Sequence, residues 1–462
     1  MRIRRLLLPY VNIFIFGFLF MVSLFGMARF AVAADPLGSW NEGAAKQSIL
    51  EFVERVTREG SPDFVPSAER VAVFDNDGTL WPEAPLPFQA AFVFDELRRR
   101  APLEPDLADA PFVQAALQGD LSKLLAGKNH DGLMRVIGVT HAGMTTDEFD
   151  QRVNDWLATA KHPRFEKAYS ELTYQPMQEL LIYLRLKGFK TFIVSGGGAD
   201  FMRVWSERVY GISPENVIGS MWQARFELRD GLPVLVKTMD HLFVDDKEGK
   251  PVGIHQFIGR RPIACFGNSD GDQAMLEYTT IGNPRASFGL IVHHTDAERE
   301  YAYDANPQSS GKLTTALTRA DECGWTVVDM KVDWQKIWSD PAAAPSDGVA
   351  LSLVGKWLAE DIDSAGVIDL AQSTLEFSAD GAVSGSSAVN RFQGQAKVDH
   401  NSCTFGPLAM TRRAGPPALM DQESKFMAAL QRVVRYRIAE TGLLFLIDAE
   451  GTDVLRFSKM EN

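Results

Sequence analysis

A chain of 462 residues, 45% hydrophobic and 23% charged, is long enough for more than one domain and has the composition of a packed globular protein. Its formal net charge of −13 disfavours nonspecific binding to DNA or RNA, and no basic stripe with interleaved aromatics offers a nucleic-acid footprint. Three cysteines, Cys265, Cys323 and Cys403, make no disulfide framework and lack zinc-ligand spacing; Cys265 reads as a buried free thiol, and a Cys323–Cys403 bridge has no support in the sequence.

Arg2, Arg4 and Arg5 precede an apolar run over residues 6–27, and Ala31-Val32-Ala33 then offers a small-x-small cleavage site. This is the pattern of a secretory signal peptide over residues 1–33, which implies export to the periplasm or cell envelope. The alternative is an uncleaved membrane anchor, because about 20 apolar residues can span a bilayer. No other segment of the sequence is long and apolar enough to cross one.

Residues 35–338 form the first expected domain. A helical lead-in to residue 70 carries a period near four, and apolar strands then alternate with helices, the signature of an α/β fold. Residues 71–74, 191–194, 263–266 and 287–292 read as strands. The insert over about 82–174 is rich in Ala, Leu, Phe, Glu and Arg at helical spacing and reads as a helical cap. A linker follows over 339–349, and residues 350–462 have the short runs and turn residues of a small β-rich domain with one helix near 421–433.

Three of the strands end in small polar motifs. Residues 71–74 lead into Asp75-Asn76-Asp77-Gly78-Thr79, the second strand into Ser195-Gly196-Gly197-Gly198, and the third into Gly267-Asn268-Ser269-Asp270-Gly271-Asp272. Asp75 and Asp77 stand two positions apart, on the same side of an extended chain. Two carboxylates held that close repel unless a cation or a proton lies between them, which points to a divalent metal. Open parallel sheets place their sites beyond the carboxyl ends of the strands, so the three motifs can converge on one cavity. A helix starting near Ala199 would aim its N-terminal N–H groups at an anion.

The ordered set resembles the haloacid dehalogenase superfamily, in particular its phosphoserine-phosphatase-like members with a helical cap, over roughly residues 65–335. The resemblance implies a Rossmann-like parallel sheet and an exported, Mg²⁺-dependent phosphomonoester hydrolase acting on a small phosphorylated substrate. It implies that Asp75 is the nucleophile and forms an aspartyl-phosphate. Asp77 would be the general acid and then the base, with its backbone carbonyl on the metal. Ser195 and the Gly196 N–H would bind the phosphoryl group, and Lys250 would neutralise it, with Lys247 and Lys237 as alternatives. Asp75, Asp77, Asn268, Asp270 and Asp272 make up the implied metal-ligand set. Asn268 departs from the family, which carries an aspartate there; Asp270 is a substitute, and Asp272 matches the second family acid. The second aspartate of the first motif argues against the dehalogenase branch. A phosphonatase or phosphotransferase is a rival within enzymes. The rival outside them is a catalytically weak envelope protein that senses a phosphorylated ligand, which Asn268 favours.

Cap residues that could touch a leaving group include Glu83, Gln89, His130, Arg135, His141 and Arg164. Glu83 stands directly after the first motif and could meet a cationic leaving group. His293 and His294 are adjacent on a strand, so at most one faces the site, and both read as structural. Thr295 reads as the N-cap of a helix over 298–303.

Residues 350–462 resemble the META domain of bacterial envelope proteins. Leu353-Val354-Gly355-Lys356-Trp357 fits its opening, Asn390 within 385–394 its central turn, 411–420 its later segment with Glu423 on the following helix, and 444–457 its closing hairpin with Gly451 in the turn. Members often carry cysteines where this chain has Val389 and Gly415. The domain shows no nucleophile or acid cluster, and it reads as a binding or stability module of unknown ligand.

Overall fold

The computed structural model describes residues 35–124, 131–307, 310–339, 353–368, 371–378, 381–399, 402–439 and 442–460. The expected signal segment, the linker and His130 lie outside the described residues. Among the described residues, no helix is long and apolar enough to cross a membrane.

The first domain is built on a six-stranded parallel sheet. Its strands are β1 (Val71–Phe74), β2 (Lys190–Gly198), β3 (Val217–Ser220), β6 (Ala264–Gly267), β7 (Phe288–His293) and β8 (Thr326–Asp329), in the order β3-β2-β1-β6-β7-β8. Two of these, β3 and β8, were not among the expected strands. The chain runs outward from β1 through β2 to β3, then crosses back and runs outward through β6, β7 and β8. The reversal falls between β1 and β6, the switch point at which open α/β sheets form their crevice.

All four residues of β1 are buried, as an interior parallel strand requires. Alternate residues go to opposite faces of the sheet. Ala72 and Phe74 join a large core with the helices Ala44–Thr57 and Gln175–Leu186, while Val71 and Val73 join a second core with Met275, Leu276, Ala316 and Ala320. Phe74 stacks on Phe266 of the neighbouring strand at 4.3 Å, a contact worth about 0.5–1.5 kcal/mol beyond its buried area. The end of β1 is thereby fixed where Asp75 begins.

The segment between β1 and β2 is helical, with Phe88–Arg100, Thr146–Thr159 and Gln175–Leu186 as the longest of its described helices. A further element was not foreseen: the hairpin of β4 (Ala224–Arg229) and β5 (Leu232–Lys237), between β3 and the Lys250 helix. Phe226, Leu228, Leu232 and Leu235 are exposed on it, although Ala224-Arg225-Phe226-Glu227-Leu228-Arg229 alternates with period two and Asp230-Gly231 supplies the turn. The helix expected after Thr295 is a turn instead. Asp296 accepts from the Glu298 and Arg299 N–H groups, whereas the Thr295 hydroxyl donates to Asp329. The three cysteines are free.

The C-terminal domain is an antiparallel barrel made of β9 (Gly355–Ile362), β10 (Ser373–Phe377), β11 (Ala382–Ser387), β12 (Arg391–Asp399), β13 (Ser402–Phe405), β14 (Ala409–Met410), β15 (Arg435–Ile438), β16 (Leu444–Ile447) and β17 (Asp453–Lys459). The order β11-β10-β9-β17-β16-β15-β13-β12-β14 closes on itself because β11 also pairs with β12. Closure leaves only the short β14 as an edge. The helix Pro417–Arg432 starts four residues before the expected position, because Pro416 and Pro417 suit a first turn. Its Glu423 accepts from Ser387 Oγ (2.7 Å), Asn390 N (2.8 Å) and Asn390 Nδ2 (2.9 Å). Asn390 Oδ1 accepts in turn from Thr411 Oγ1 and Arg413 N, so the central turn ties the helix to the barrel.

Val389 and Gly415, the two positions where family members often carry cysteine, are in contact. A β-carbon on Gly415 would lie 3.5 Å from Val389 Cβ. Disulfides have Cβ–Cβ separations of about 3.5–4.5 Å. The double variant Val389→Cys, Gly415→Cys is therefore expected to cross-link under oxidising conditions and to stabilise the domain by about 2–4 kcal/mol relative to its reduced form. Mass spectrometry and urea unfolding with and without reductant check this; a double variant that stays reduced contradicts the geometry.

Candidate active site

Asp75 leaves β1 with its N–H on the Phe266 carbonyl (2.9 Å), so the nucleophile candidate stands between the ends of β1 and β6. The chain then turns sharply, with the Leu80 N–H on the Asn76 carbonyl. Gly78 adopts φ +80°, and a β-carbon there would fall 2.1 Å from Asn268 Nδ2 and 2.4 Å from Glu83 Oε1, so only glycine fits. Trp81 closes the turn. Its ring is stacked on Trp205 at 4.0 Å and packs on Phe88 at 4.3 Å, which aims Nε1 at Asp77 Oδ1 (2.8 Å).

Lys250 sits in the short helix Gly249–Gly253 and is 2% exposed. Its Nζ donates to Asp75 Oδ1 at 2.7 Å and to Asp272 Oδ1 at 2.6 Å. Asp272 is fully buried, and its other oxygen accepts the N–H groups of Asn268 and Ser269, both at 3.0 Å. Burial opposes the lysine's charge, but Asp272 and Asp75 outweigh it and hold the ammonium well above its usual pKa. The same burial, with Asp272 nearby, pushes the Asp75 carboxyl well above the usual carboxylate range despite Lys250. Asp77 is raised to about 6, again by burial, with the Trp81 hydrogen bond working against it. Of the alternative lysines, Lys237 is committed to Asp200 and lies over the Phe149 ring at 4.4 Å, and Lys247 is exposed.

Ser195 ends the buried part of β2 and is 1% exposed, with its Oγ accepting the Gly197 N–H at 3.1 Å. The β-carbon that Gly197 lacks would lie 3.4 Å from Asp77 Oδ2 and 3.4 Å from Ser195 Oγ. The first two motifs therefore meet in space. Beside them, the Asp245 carboxyl is fully buried, and burial lifts its pKa to about 8 against the opposing pull of Lys250.

Three expected ligands or contacts have other work. Asp270 accepts from Thr314 N (2.8 Å), Thr314 Oγ1 (2.7 Å) and Ala316 N (3.0 Å) at the start of the helix Thr315–Cys323. These donors outweigh burial and hold its carboxyl below the usual range, so it caps a helix and does not stand in for Asn268. Asp272 has both oxygens engaged, by Lys250 and by backbone N–H groups, and so anchors the lysine. Glu83 is 4% exposed and accepts from Asn268 Nδ2 (2.6 Å), Tyr303 OH (2.8 Å) and Ser310 Oγ (2.7 Å). With both oxygens taken it cannot meet a cationic leaving group; it orients Asn268, whose Oδ1 accepts from Thr79 Oγ1 at 3.1 Å.

His294 is the residue sequence reasoning undervalued. It is 2% exposed, and it donates from Nε2 to the Gly78 carbonyl (2.7 Å) and from Nδ1 to Glu300 Oε2 (3.1 Å). Burial disfavours its charge, but Glu300 outweighs this and raises its pKa. Tyr303 stacks on the imidazole at 4.4 Å. Strand alternation allowed one of the two histidines to face inward, but nothing local revealed that its target was the carbonyl after Asp77. Among the cap residues, Arg164 donates to the carbonyls of Glu300, Ala297 and Glu298, Arg135 is exposed, and His141 is buried against Phe149.

With this geometry in hand, the chain was compared with known proteins. A family model described as haloacid dehalogenase-like hydrolase matches residues 72–277, and one described as META domain matches residues 350–461. No curated protein matches the chain. Among solved structures, a functionally unknown protein from Anaerococcus prevotii is similar at 16% identity and TM-score 0.39, over 62% of this chain and 91% of that one. A phosphoserine phosphohydrolase-like protein from Francisella tularensis is similar at 16% identity and TM-score 0.30, over 55% of this chain and 98% of that one. A cytosolic 5'-nucleotidase IIIB bound to cytidine is similar at 16% identity and TM-score 0.28, over 55% of this chain and 79% of that one. The parallel sheet with its Asp75–Lys250–Asp272 cluster and the C-terminal barrel are thus the two halves of one description: the chain joins a haloacid dehalogenase-like hydrolase domain to a C-terminal META domain.

Proposed function

We propose that the first domain hydrolyses small phosphomonoesters through a phosphorylated Asp75, with Mg²⁺ as cofactor, in an exported protein. The observation that carries this reading is the buried Lys250 ammonium shared between Asp75 and Asp272 beside Ser195. A lysine spent on one partner would be an ordinary ion pair. Here Asp272 holds the cation against Asp75, where it works against the burial that raises the nucleophile's pKa and leaves positive charge where a phosphoryl dianion must arrive.

The residues fit a hard cation. Among the described residues no group of three His, Cys, Asp or Glu side chains could hold a metal. The remaining oxygen donors are Asp75, the Asp77 carbonyl and the Asn268 amide oxygen. That mixed set suits Mg²⁺, which takes one or two carboxylates and completes its shell with water and substrate phosphate. When bound, the metal supplies charge neutralisation at the phosphoryl oxygens.

Lys250 holds Asp75 Oδ1, which leaves Oδ2 to attack phosphorus. As the new O–P bond forms, the ester P–O bond breaks, and Asp77 gives its proton to the leaving oxygen. Its pKa of about 6 suits a group that must hold that proton and then take one back. Water then attacks the aspartyl-phosphate, Asp77 accepts the proton, and phosphate departs. Ser195 Oγ donates to a phosphoryl oxygen throughout. Asn268, neutral where a charged ligand is usual in the family, favours a second reading in which the site binds a phosphorylated ligand and turns it over poorly. Export is supported by the basic, apolar and small-residue pattern of residues 1–33.

Purified protein with Mg²⁺ is expected to hydrolyse p-nitrophenyl phosphate, and Asp75→Asn to lower turnover by at least about a thousandfold, the scale of losing a nucleophile. Wild-type protein that binds phosphate without turnover decides for the sensing reading. Asp270→Ala is expected to lower stability by about 1–2 kcal/mol in urea unfolding, as for a lost N-cap, while turnover and its magnesium dependence stay unchanged. A rise in the magnesium requirement would return Asp270 to the ligand set.

A further inference from the structure

Gln89 is the second residue of the helix Phe88–Arg100, the first long helix of the cap. Phe88, fully buried, packs on Trp81 and on Tyr169, each at 4.3 Å, and so anchors the helix start beside the nucleophile turn. Gln89 reaches from this anchored start into the glycine loop that follows Ser195. It is 9% exposed, and its Oε1 accepts the Gly198 N–H at 2.6 Å.

Two features give this contact a chemical direction. A backbone N–H can only donate, so Gly198 fixes the amide with its oxygen on the loop. The NH₂ group then carries two donors, neither given to a described residue, and the nitrogen is not sealed from solvent. The second feature is convergence. The β-carbon absent from Gly197 would stand 3.4 Å from Asp77 Oδ2, 3.4 Å from Ser195 Oγ and 3.5 Å from Gln89 Oε1. Asp77, Ser195 and the Gln89 amide thus border one small space, with the amide oxygen facing it and Nε2 beside Gly198, 2.4 Å from where that glycine's β-carbon would stand.

We propose that Gln89 is a phosphate-binding residue supplied by the cap, its NH₂ donating to a phosphoryl oxygen of the substrate while its carboxamide oxygen stays latched to Gly198. This rests on the phosphatase reading and deepens it. The cap then recognises the phosphate group itself, in addition to whatever the leaving group offers. A latched amide also positions the cap helix against the loop that holds the anion, so binding and cap placement are one event.

Gln89→Glu separates the latch from the donor. Glutamate has the same shape and keeps an oxygen for the Gly198 N–H, but it replaces the donor with an acceptor and adds a negative charge. The probes are p-nitrophenyl phosphate hydrolysis and inhibition by inorganic phosphate, with the full chain and Mg²⁺. The expected result is an unchanged melting temperature with KM and the phosphate inhibition constant raised at least about tenfold, the scale of losing a hydrogen bond to a charged group. Gln89→Met, neutral and without donors, is expected to weaken phosphate in the same direction, and it carries the test if the glutamate variant does not fold. Wild-type affinity for phosphate in either folded variant overturns the proposal and leaves the phosphatase reading standing. Wild-type protein that neither hydrolyses the ester nor binds phosphate removes that reading, and this proposal with it.

Discussion

One ammonium group shared by two buried carboxylates organises the hydrolase domain. Lys250 comes from a helix after β3, Asp75 from the end of β1 and Asp272 from the loop after β6, so the contact joins three parts of the chain that meet only when the sheet is assembled. Removing one partner from such a cluster strands an uncompensated buried charge, at a cost of about 3–5 kcal/mol. The cluster is therefore a condition of the fold's interior as much as of its chemistry. Burial first, and Asp272 beside it, leave Asp75 with a raised pKa that an arriving cation would lower.

Behind this cluster stands a polar support shared between distant segments. Glu83 at the start of the cap collects Asn268, Tyr303 and Ser310, while His294 connects Glu300 to the Gly78 carbonyl. Buried carboxylates and a buried imidazole are tolerable only because their bonds are nearly complete. The consequence is a rigid turn around Gly78 and a fixed Asn268 amide. The carboxylate that accepts from the Asn268 amide, Glu83, is raised to about 7 by burial. The negative charge expected at the site edge has in effect moved one bond outward, onto a group that can also carry a proton.

The META domain solves a different problem. It is small and has no disulfide, yet its barrel closes and its helix is tied down by Glu423 through Ser387 and Asn390. Val389 and Gly415 meet by apolar packing, with a β-carbon on Gly415 lying 3.5 Å from Val389 Cβ.

The sequence by itself determined the α/β sheet, the helical insert, the β-rich C-terminal domain and the identities of Asp75, Asp77, Ser195, Lys250 and Asp272 as the residues to watch. These were legible because each lies at the end of a short apolar run or in a local motif, and local pattern is what periodicity reports. The hairpin of β4 and β5 carries its period-two alternation over 224–229 and its Asp230-Gly231 turn in plain sequence; only the exposure of its apolar residues belongs to the folded structure. Only the tertiary structure decided what Asp270, Asp272, Glu83, Gln89 and His294 do. Each is a polar side chain whose role depends on which donor or acceptor arrives from elsewhere in the chain: a helix start, a buried lysine, an asparagine amide, a loop N–H, a turn carbonyl. Hydrogen-bond partners separated by up to 227 residues leave no trace in spacing, because they are set by strand order and burial, which exist only once the chain has folded.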